Sequence, residues 1–131
     1  MAAQVTARAL GPLLGEDGDA VAVVAKFFRA LGDPTRLRLL EFLLRDEHTV
    51  SECVAHVGLA QGRVSTHLSC LADCGYVRVR RTGRYAYYRV ADPRVAGLVM
   101  LAHALAADNA CALASCRRID PHAHRPGERD A

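Results

Sequence analysis

Two cysteines four residues apart, Cys70 and Cys74, are the best candidates for metal binding in this 131-residue chain. They lie in the stretch HLSCLADCG, which has the pattern of one α-helix that ends at Gly75. Side chains at this spacing are neighbours on successive helical turns, so both sulfurs can bind one ion. Cys74 falls in the last turn, where the helix dipole disfavours a thiolate anion and favours a cation. Thiolates select soft or borderline ions, so Cd(II), Pb(II) and Hg(II) fit, and As(III) is also compatible.

A specific thiolate site usually needs more than two ligands, and the chain has three further cysteines. Cys111 and Cys116 are distant in sequence from the pair, but a second copy of the chain could bring either of them to it. Their spacing does not decide between the two. Cys53 stands alone on a predicted helix and is interpreted as a small core residue. The two histidines of the C-terminal HAH stretch, His122 and His124, are interpreted as solvated.

The composition indicates one domain with tails. The chain is 51% apolar, which is enough for one core, but it is short for two domains. It has no long uncharged apolar run and no signal-peptide pattern, so we expect a cytoplasmic protein with no membrane partner. There the five cysteines should stay reduced, and their odd number argues against a disulfide framework. We predict an N-terminal extension over 1–19, a folded domain over 20–115 and a flexible tail over 116–131.

The sequence between the tails predicts four helices before a β-hairpin. Asp33 followed by Pro34 is typical of an N-cap and a first helical residue. The stretch TVSE, at 49–52, matches a capping box. The third helix is short, a tight turn follows it, and the fourth helix is polar on its outer face, which is typical of a helix-turn-helix. The predicted ranges are 20–31, 34–45, about 49–57 and about 61–74.

Residues 76–90 change to a two-residue period and predict a β-hairpin that turns at Thr82-Gly83. Between residues 78 and 94 there are six arginines and a single acid, Asp92. A basic strip of this kind suits a surface that follows DNA phosphates. A long last helix is predicted over 95–114. Apolar residues cover more than one of its sides, so we expect a second copy of the chain to cover the surplus.

This order of elements is that of a winged helix-turn-helix, a mainly α fold with a β-hairpin. The chain resembles the ArsR/SmtB family of metal-responsive bacterial repressors over about residues 20–115. The resemblance rests on ALGDPTRLRLLEFLL (30–44), GRVSTHLSCLADCGYVRVRRTGRYAYYRV (62–90) and the last helix. Within that family, HLSCLADCG is most similar to the cadmium- and lead-sensing CmtR group. The resemblance implies a homodimer that represses when metal-free and leaves a palindromic operator when metal binds.

The resemblance also implies where further ligands should and should not lie. In the CmtR-like pattern, a C-terminal cysteine of the other subunit completes a three-sulfur site. The family's oxygen and nitrogen site on the last helix is not expected, because Arg94 stands where a histidine is needed. Leu105 and Asp108 occupy two further positions of that site. A site of two cysteines separated by one residue is at best half present, at Cys53.

The outer face of the fourth helix carries donors and acceptors suited to base edges and phosphates in a major groove. These residues are Gln61, Arg63, Ser65, Thr66 and His67. Ser65 and His67 carry the S-x-HL match and are the first candidates, although one of the five can instead cap or pack. At the wing, Arg80, Arg81 and Arg84 are expected to reach flanking phosphates or the minor groove.

Two other functions are compatible with the sequence. One is a thiol redox-sensing repressor of the same fold, in which Cys70, Cys74 or the C-terminal cysteines form disulfides. The other is a metal buffer that never binds DNA, against which the helix-turn-helix and the arginine-rich wing argue. An enzyme is not expected, because no phosphate-binding glycine loop and no nucleophile motif are evident.

Overall fold

The structure is a computed structural model that describes residues 20–119. Over that range it contains six helices and three strands, which confirms the predicted mainly α class with a β-hairpin. The helices are α1 (Ala20–Ala30), α2 (Pro34–Arg45), α3 (Val50–Val57), α4 (Gln61–Asp73), α5 (Arg94–Asp108) and α6 (Ala110–Ser115). The strands are β1 (His48–Thr49), β2 (Val77–Thr82) and β3 (Tyr85–Val90). The predicted extension over 1–19, most of the predicted tail, and His122 and His124 lie outside the described residues.

The chain divides into two compact units, one ending at Val95 and the other beginning at Ala96. In the first unit, both predicted helix starts are confirmed. Asp33 Oδ1 accepts a hydrogen bond from the Arg36 amide at 3.0 Å, and Pro34 is the first residue of α2. Thr49 and Glu52 form the capping box of α3, each side chain accepting from the other's backbone amide. The polar groups at these helix ends are therefore satisfied by side chains close in sequence.

The core of the first unit lies between α2, α3 and α4. Leucines on α2 and α4 are buried together with Val64 and with Tyr76, which follows α4. The buried leucines are Leu39, Leu40, Leu43, Leu68 and Leu71. One stripe of α4 is thus fixed against the body of the unit, and its opposite face is open to solvent.

The sheet is antiparallel, with the strand order β1-β3-β2. Strand β1 was not predicted, because its two residues are too few to show a period. The hairpin turns at Gly83-Arg84, since Thr82 pairs with Tyr85, so the predicted turn at Thr82-Gly83 is wrong by one residue. Gly83 has a φ of 58°, as the first central residue of a type II′ turn requires.

In the second unit, the prediction of one long helix over 95–114 is wrong. The helix breaks at Asn109, which separates α5 from α6. The Asn109 side-chain amide donates to the Leu105 carbonyl at 2.8 Å, a carbonyl that the Asn109 backbone amide also approaches. Asparagine favours helix ends because its side chain competes for backbone partners in this way. Apolar side chains around the break are exposed, among them Met100, Leu101 and Leu113.

Replacing Asp33 with alanine removes the N-cap of α2 and should lower the free energy of unfolding by about 1 kcal/mol. Urea denaturation followed by circular dichroism measures this change. Asp33→Asn is the matched control, because asparagine keeps the acceptor and loses only the charge. Equal losses in the two variants would show that the charge of Asp33, and not its capping bond, stabilises α2.

Candidate thiolate and DNA-contact sites

Cys70 and Cys74 come together at the C-terminal end of α4. They lie one helical turn apart, near enough for Cys70 to raise the pKa of Cys74, and the Cys74 amide donates to the Cys70 carbonyl at 3.0 Å. Gly75 follows with a φ of 87°, and its amide donates to the Ala72 carbonyl. The Tyr76 amide donates to the Leu71 carbonyl at 2.9 Å, which completes a Schellman motif. This motif fixes the backbone on which Cys74 lies.

The environment of Cys74 favours the protonated thiol. Burial raises its pKa, and the neighbouring Cys70 raises it further, whereas the Lys26 ammonium acts in the opposite direction. Two thiols one helical turn apart are a soft donor set that would lose its protons on binding a metal ion. The pair therefore fits a thiophilic ion as two of its ligands.

Helix α1 forms the wall beside this pair. A shallow pocket of about 230 Å³ is lined by Val23, Lys26 and Phe27 of α1 together with Cys74. Tyr76 is fully buried, its hydroxyl donates to the Phe27 carbonyl at 2.9 Å, and its ring stacks on Phe27 with centroids 4.3 Å apart. The end of α4 is thus joined to α1 by a hydrogen bond and a ring contact. The sequence pattern gave no indication of this joint.

The other cysteines differ in exposure. Cys53 is fully buried on α3 and burial raises its pKa to about 11, which agrees with its interpretation as a core residue. In the second unit, Cys111 is exposed on α6 and Cys116 is partly buried at its C-terminal cap. Over residues 20–119, no three His, Cys, Asp or Glu side chains come together to hold an ion.

The predicted DNA-contact residues of α4 differ in their exposure and in whether they have hydrogen-bond partners inside the protein. Gln61 and Arg63 are exposed near the start of the helix, and Ser65 is partly exposed. The Thr66 hydroxyl donates to the Gly62 carbonyl at 2.9 Å within the helix. His67 is partly buried, with its Nδ1 3.4 Å from Nη1 of Arg36. Thr66 and His67 thus have partners inside the protein.

The three predicted wing arginines also differ. Arg81 and Arg84 are exposed, and the Arg84 guanidinium lies 5.9 Å from the centroid of the Tyr85 ring. Arg80 was expected at the tip with them, but it lies along β2 and forms an ion pair with Glu47, which precedes β1. The sequence contains no local signal for this pair, because its members are 33 residues apart.

Asp92, the acid at the start of the last helix where the family's oxygen and nitrogen site would lie, is paired with Arg94. Its Oδ2 accepts from Arg94 Nη2 at 2.8 Å, and its Oδ1 accepts from the Arg94 amide. The hydrogen bond from the Arg94 side chain lowers the pKa of Asp92 to about 2. This carboxylate is committed to an arginine.

Comparison with known proteins gives consistent results. The family model of bacterial regulatory proteins of the arsR family matches residues 33–79. A Streptomyces lividans protein named "Probable mercury resistance operon repressor" is 64% identical over 104 residues, which are 79% of this chain and 78% of that protein. The HTH-type transcriptional regulator CmtR of Mycobacterium tuberculosis is 39% identical over 94 residues, covering 69% of this chain and 80% of CmtR.

A solved structure extends the similarity to the fold. The homodimeric winged helix-turn-helix DNA-binding domain of a Mycobacterium bovis protein superposes with a TM-score of 0.62 at 30% identity. The superposition covers 80% of this chain and 89% of that domain. In the described part of our chain, no helix has the length and apolar character needed to cross a membrane. The chain belongs to the ArsR family of winged helix-turn-helix transcriptional regulators, which are DNA-binding proteins and not enzymes.

Proposed function

We propose that this protein is a repressor that binds operator DNA as a metal-free homodimer and leaves it when a thiophilic ion binds. The observation that carries the proposal is that two free, partly buried cysteines, Cys70 and Cys74, lie one turn apart at the end of α4, the second helix of the helix-turn-helix. The inducer class is Cd(II) or Pb(II), with Hg(II) and As(III) as further candidates. The names of the Streptomyces and Mycobacterium relatives support a metal-linked role. Such a repressor acts in the cytoplasm, where bacterial DNA lies.

The exposed apolar residues support the homodimer. On α1, Val21 is 77% exposed and Phe28 is 54% exposed; in the second unit, Leu105 is 56% exposed. Large apolar side chains in such numbers on a small domain mark an interaction surface, and a second copy is the simplest partner. The homodimeric Mycobacterium bovis domain is consistent with this assembly.

A partner copy would also supply the third sulfur. Cys116 lines an open hollow on the second unit together with Leu105 and Leu113, on the apolar surface assigned to the partner. Cys111 is exposed but does not line that hollow. Of the two candidates, this placement favours Cys116.

DNA would be contacted by the open face of α4 and by the tip of the wing. Gln61, Arg63 and Ser65 are the best placed for base edges and phosphates, since Thr66 and His67 already have partners inside the protein. Arg81 and Arg84 would bind flanking phosphates. Repression is relieved only if the ion binds the free dimer more tightly than the DNA-bound dimer, and DNA then weakens ion binding by the same factor.

A redox switch on the same scaffold is less well supported. Oxidation starts from the thiolate, and burial together with Cys70 raises the pKa of Cys74. Metal binding requires the same thiolates, so this shift does not separate the two functions, and the metal-linked names of the relatives favour the ion.

The first prediction concerns the thiol pair. The reduced protein should leave a fluorescent duplex of its own promoter when Cd(II) is added, with an affinity loss of roughly 5- to 150-fold. Cys70→Ser should bind the same duplex and stay bound in Cd(II), because one of the two clamping sulfurs is gone. Fluorescence anisotropy measures both.

Cys53→Ala is the matched control for removing a thiol, and it should respond to Cd(II) like the wild type. Cys116→Ser should lose most of the response and Cys111→Ser should keep it. Release of Cys70→Ser by Cd(II) would contradict the proposed site. Release of the wild type by peroxide without metal, reversed by dithiothreitol, would instead support the redox switch.

The second prediction concerns Tyr76. Tyr76→Phe keeps the ring stack on Phe27 and removes only the hydroxyl that joins the end of α4 to α1. Metal-free DNA binding and Cd(II) binding should persist, but the factor by which Cd(II) weakens DNA binding should fall by about 3- to 30-fold. The ratio of DNA Kd values with and without Cd(II) is the measurement. Tyr88→Phe, at another buried tyrosine, is the control, and an unchanged ratio in Tyr76→Phe would exclude this joint from the coupling.

The third prediction concerns the dimer. Leu105→Glu places a charge on the exposed apolar surface and should shift the protein to a monomer in sedimentation equilibrium. DNA affinity should fall with it, because a monomer presents one reading head to a two-half-site operator. Leu105→Met keeps the apolar character and should remain dimeric. A Leu105→Glu protein that stays dimeric would place the interface elsewhere.

A further inference from the structure

We propose that Arg80 is a positioning residue that fixes the wing to the base of the helix-turn-helix through Glu47, and does not bind DNA phosphate. The phosphate contacts of the wing then fall to Arg81 and Arg84. This inference rests on the proposed DNA-binding function and identifies which side chains of the wing carry it. We call Arg80 and Glu47, with the Thr82 and Tyr87 side chains that contact Arg80, the Arg80 clamp.

Every nitrogen of the Arg80 guanidinium has a partner inside the protein. Its Nη2 donates to Glu47 Oε1 at 2.5 Å and its Nε lies 3.4 Å from Glu47 Oε2, so one carboxylate engages two nitrogens. Its Nη1 donates to the Thr82 hydroxyl at 2.8 Å. The centre of the guanidinium lies 4.6 Å from the centroid of the Tyr87 ring, which covers one of its faces. The Arg80 and Glu47 side chains are 48% and 33% exposed, so the pair contributes more to fixing the orientation of the guanidinium than to stability.

The clamp joins β2 and β3 to the residue that precedes β1, at the point where the helix-turn-helix begins. Arg80 is on β2, and its Cα partner Tyr87 is on β3. Tyr87 also pairs with Thr49 of β1, which is the N-cap of α3. Glu47 lies two residues before that cap. The clamp therefore ties the wing strand to the segment from which the helix-turn-helix starts.

Arg81 provides the contrast. It follows Arg80 on β2, and successive side chains of a strand point to opposite faces of the sheet. Arg81 is exposed, and no acceptor in the described part of the chain holds its guanidinium. A phosphate can approach all the donors of Arg81, whereas at Arg80 the donors that face Glu47 and Thr82 are already used and the nearby carboxylate opposes a second anion.

The two roles differ in their dependence on salt. A side chain that neutralises a phosphate releases a condensed counterion, so DNA affinity falls with salt by a slope of about 0.9 per contact. An arginine already paired with a carboxylate releases none. Loss of a phosphate contact in both subunits of a dimer should thus lower the slope by roughly 1.8, whereas loss of the clamp should weaken binding equally at all salt concentrations.

The experiment compares the full-length, reduced and metal-free wild type with Arg80→Met and Arg81→Met on a duplex from its own promoter, across a salt series. Arg81→Met should lower the salt slope. Arg80→Met should weaken binding at least threefold and leave the slope unchanged. Equal lowering of the slope by both variants would overturn the proposal.

Glu47→Gln gives an independent test, because a positioning role and a phosphate-binding role of Arg80 predict opposite changes in DNA affinity. If the clamp positions the wing, this variant weakens DNA binding although it removes a negative charge, and Arg80→Met adds nothing to it in the double variant. If Glu47 merely competes with phosphate for Arg80, the variant binds DNA more tightly, which overturns the proposal. Arg80→Lys separates shape from charge, because lysine cannot form the paired contact and should behave like Arg80→Met.

Thermal unfolding of each variant controls for loss of the fold. A wild type that shows no salt-dependent affinity for the duplex would overturn the repressor function, and the clamp's role in DNA binding would fall with it. A wild type that binds, with a lowered slope in Arg80→Met, would overturn the clamp alone.

Discussion

The buried residue Tyr76 links, through its backbone and its side chain, the parts of the first unit that a repressor has to move together. Its amide closes α4 onto Leu71, its hydroxyl binds the Phe27 carbonyl of α1, and its carbonyl accepts from the Ala91 amide beyond the hairpin at 2.9 Å. Helix α4, helix α1 and both ends of the wing thus meet at one residue that is fully buried. Because buried polar groups are costly to leave unpaired, each of these bonds resists breaking. Cys74 lies two residues before Tyr76, at the same end of α4.

Local sequence signals predicted most of the first unit correctly because they act over a few residues. Asp33 and Thr49 cap the helices that their neighbours predicted, and the two-residue period after Tyr76 became the hairpin. The predictions failed where a single side chain or a pairing between distant residues overrode the local sequence pattern. The apolar stretch 95–114 favours one helix, yet the single amide of Asn109 breaks it. Strand β1 exists only through its pairing with β3, which no local period reveals.

At the candidate sites, too, the sequence predicted what local spacing determines and missed what distant contacts determine. Helical spacing was sufficient to bring Cys70 and Cys74 together, because four residues on a helix fix the distance between side chains. It could not supply a third ligand, which depends on chain packing and on a partner. For the arginines, charge pattern predicted a basic wing but not which residues are free. Arg80 and Arg81 are indistinguishable in sequence, and only the distant Glu47 separates them.

The position of the thiol pair restricts how DNA can be released. Gln61 begins α4 and Cys74 follows its last residue, so the two are separated by about 20 Å along the helix axis at 1.5 Å per residue. An ion at the pair would therefore not occupy the space of a base or phosphate at the start of the helix. At that distance its charge is also screened, since the Debye length is about 8 Å at physiological ionic strength. Steric and direct electrostatic competition are thus both weak, and release has to pass through the position of α4. The contacts that set this position at its C-terminal end are those of Tyr76 with Phe27 and Leu71, which makes the end of the helix an effective place for a regulatory ligand.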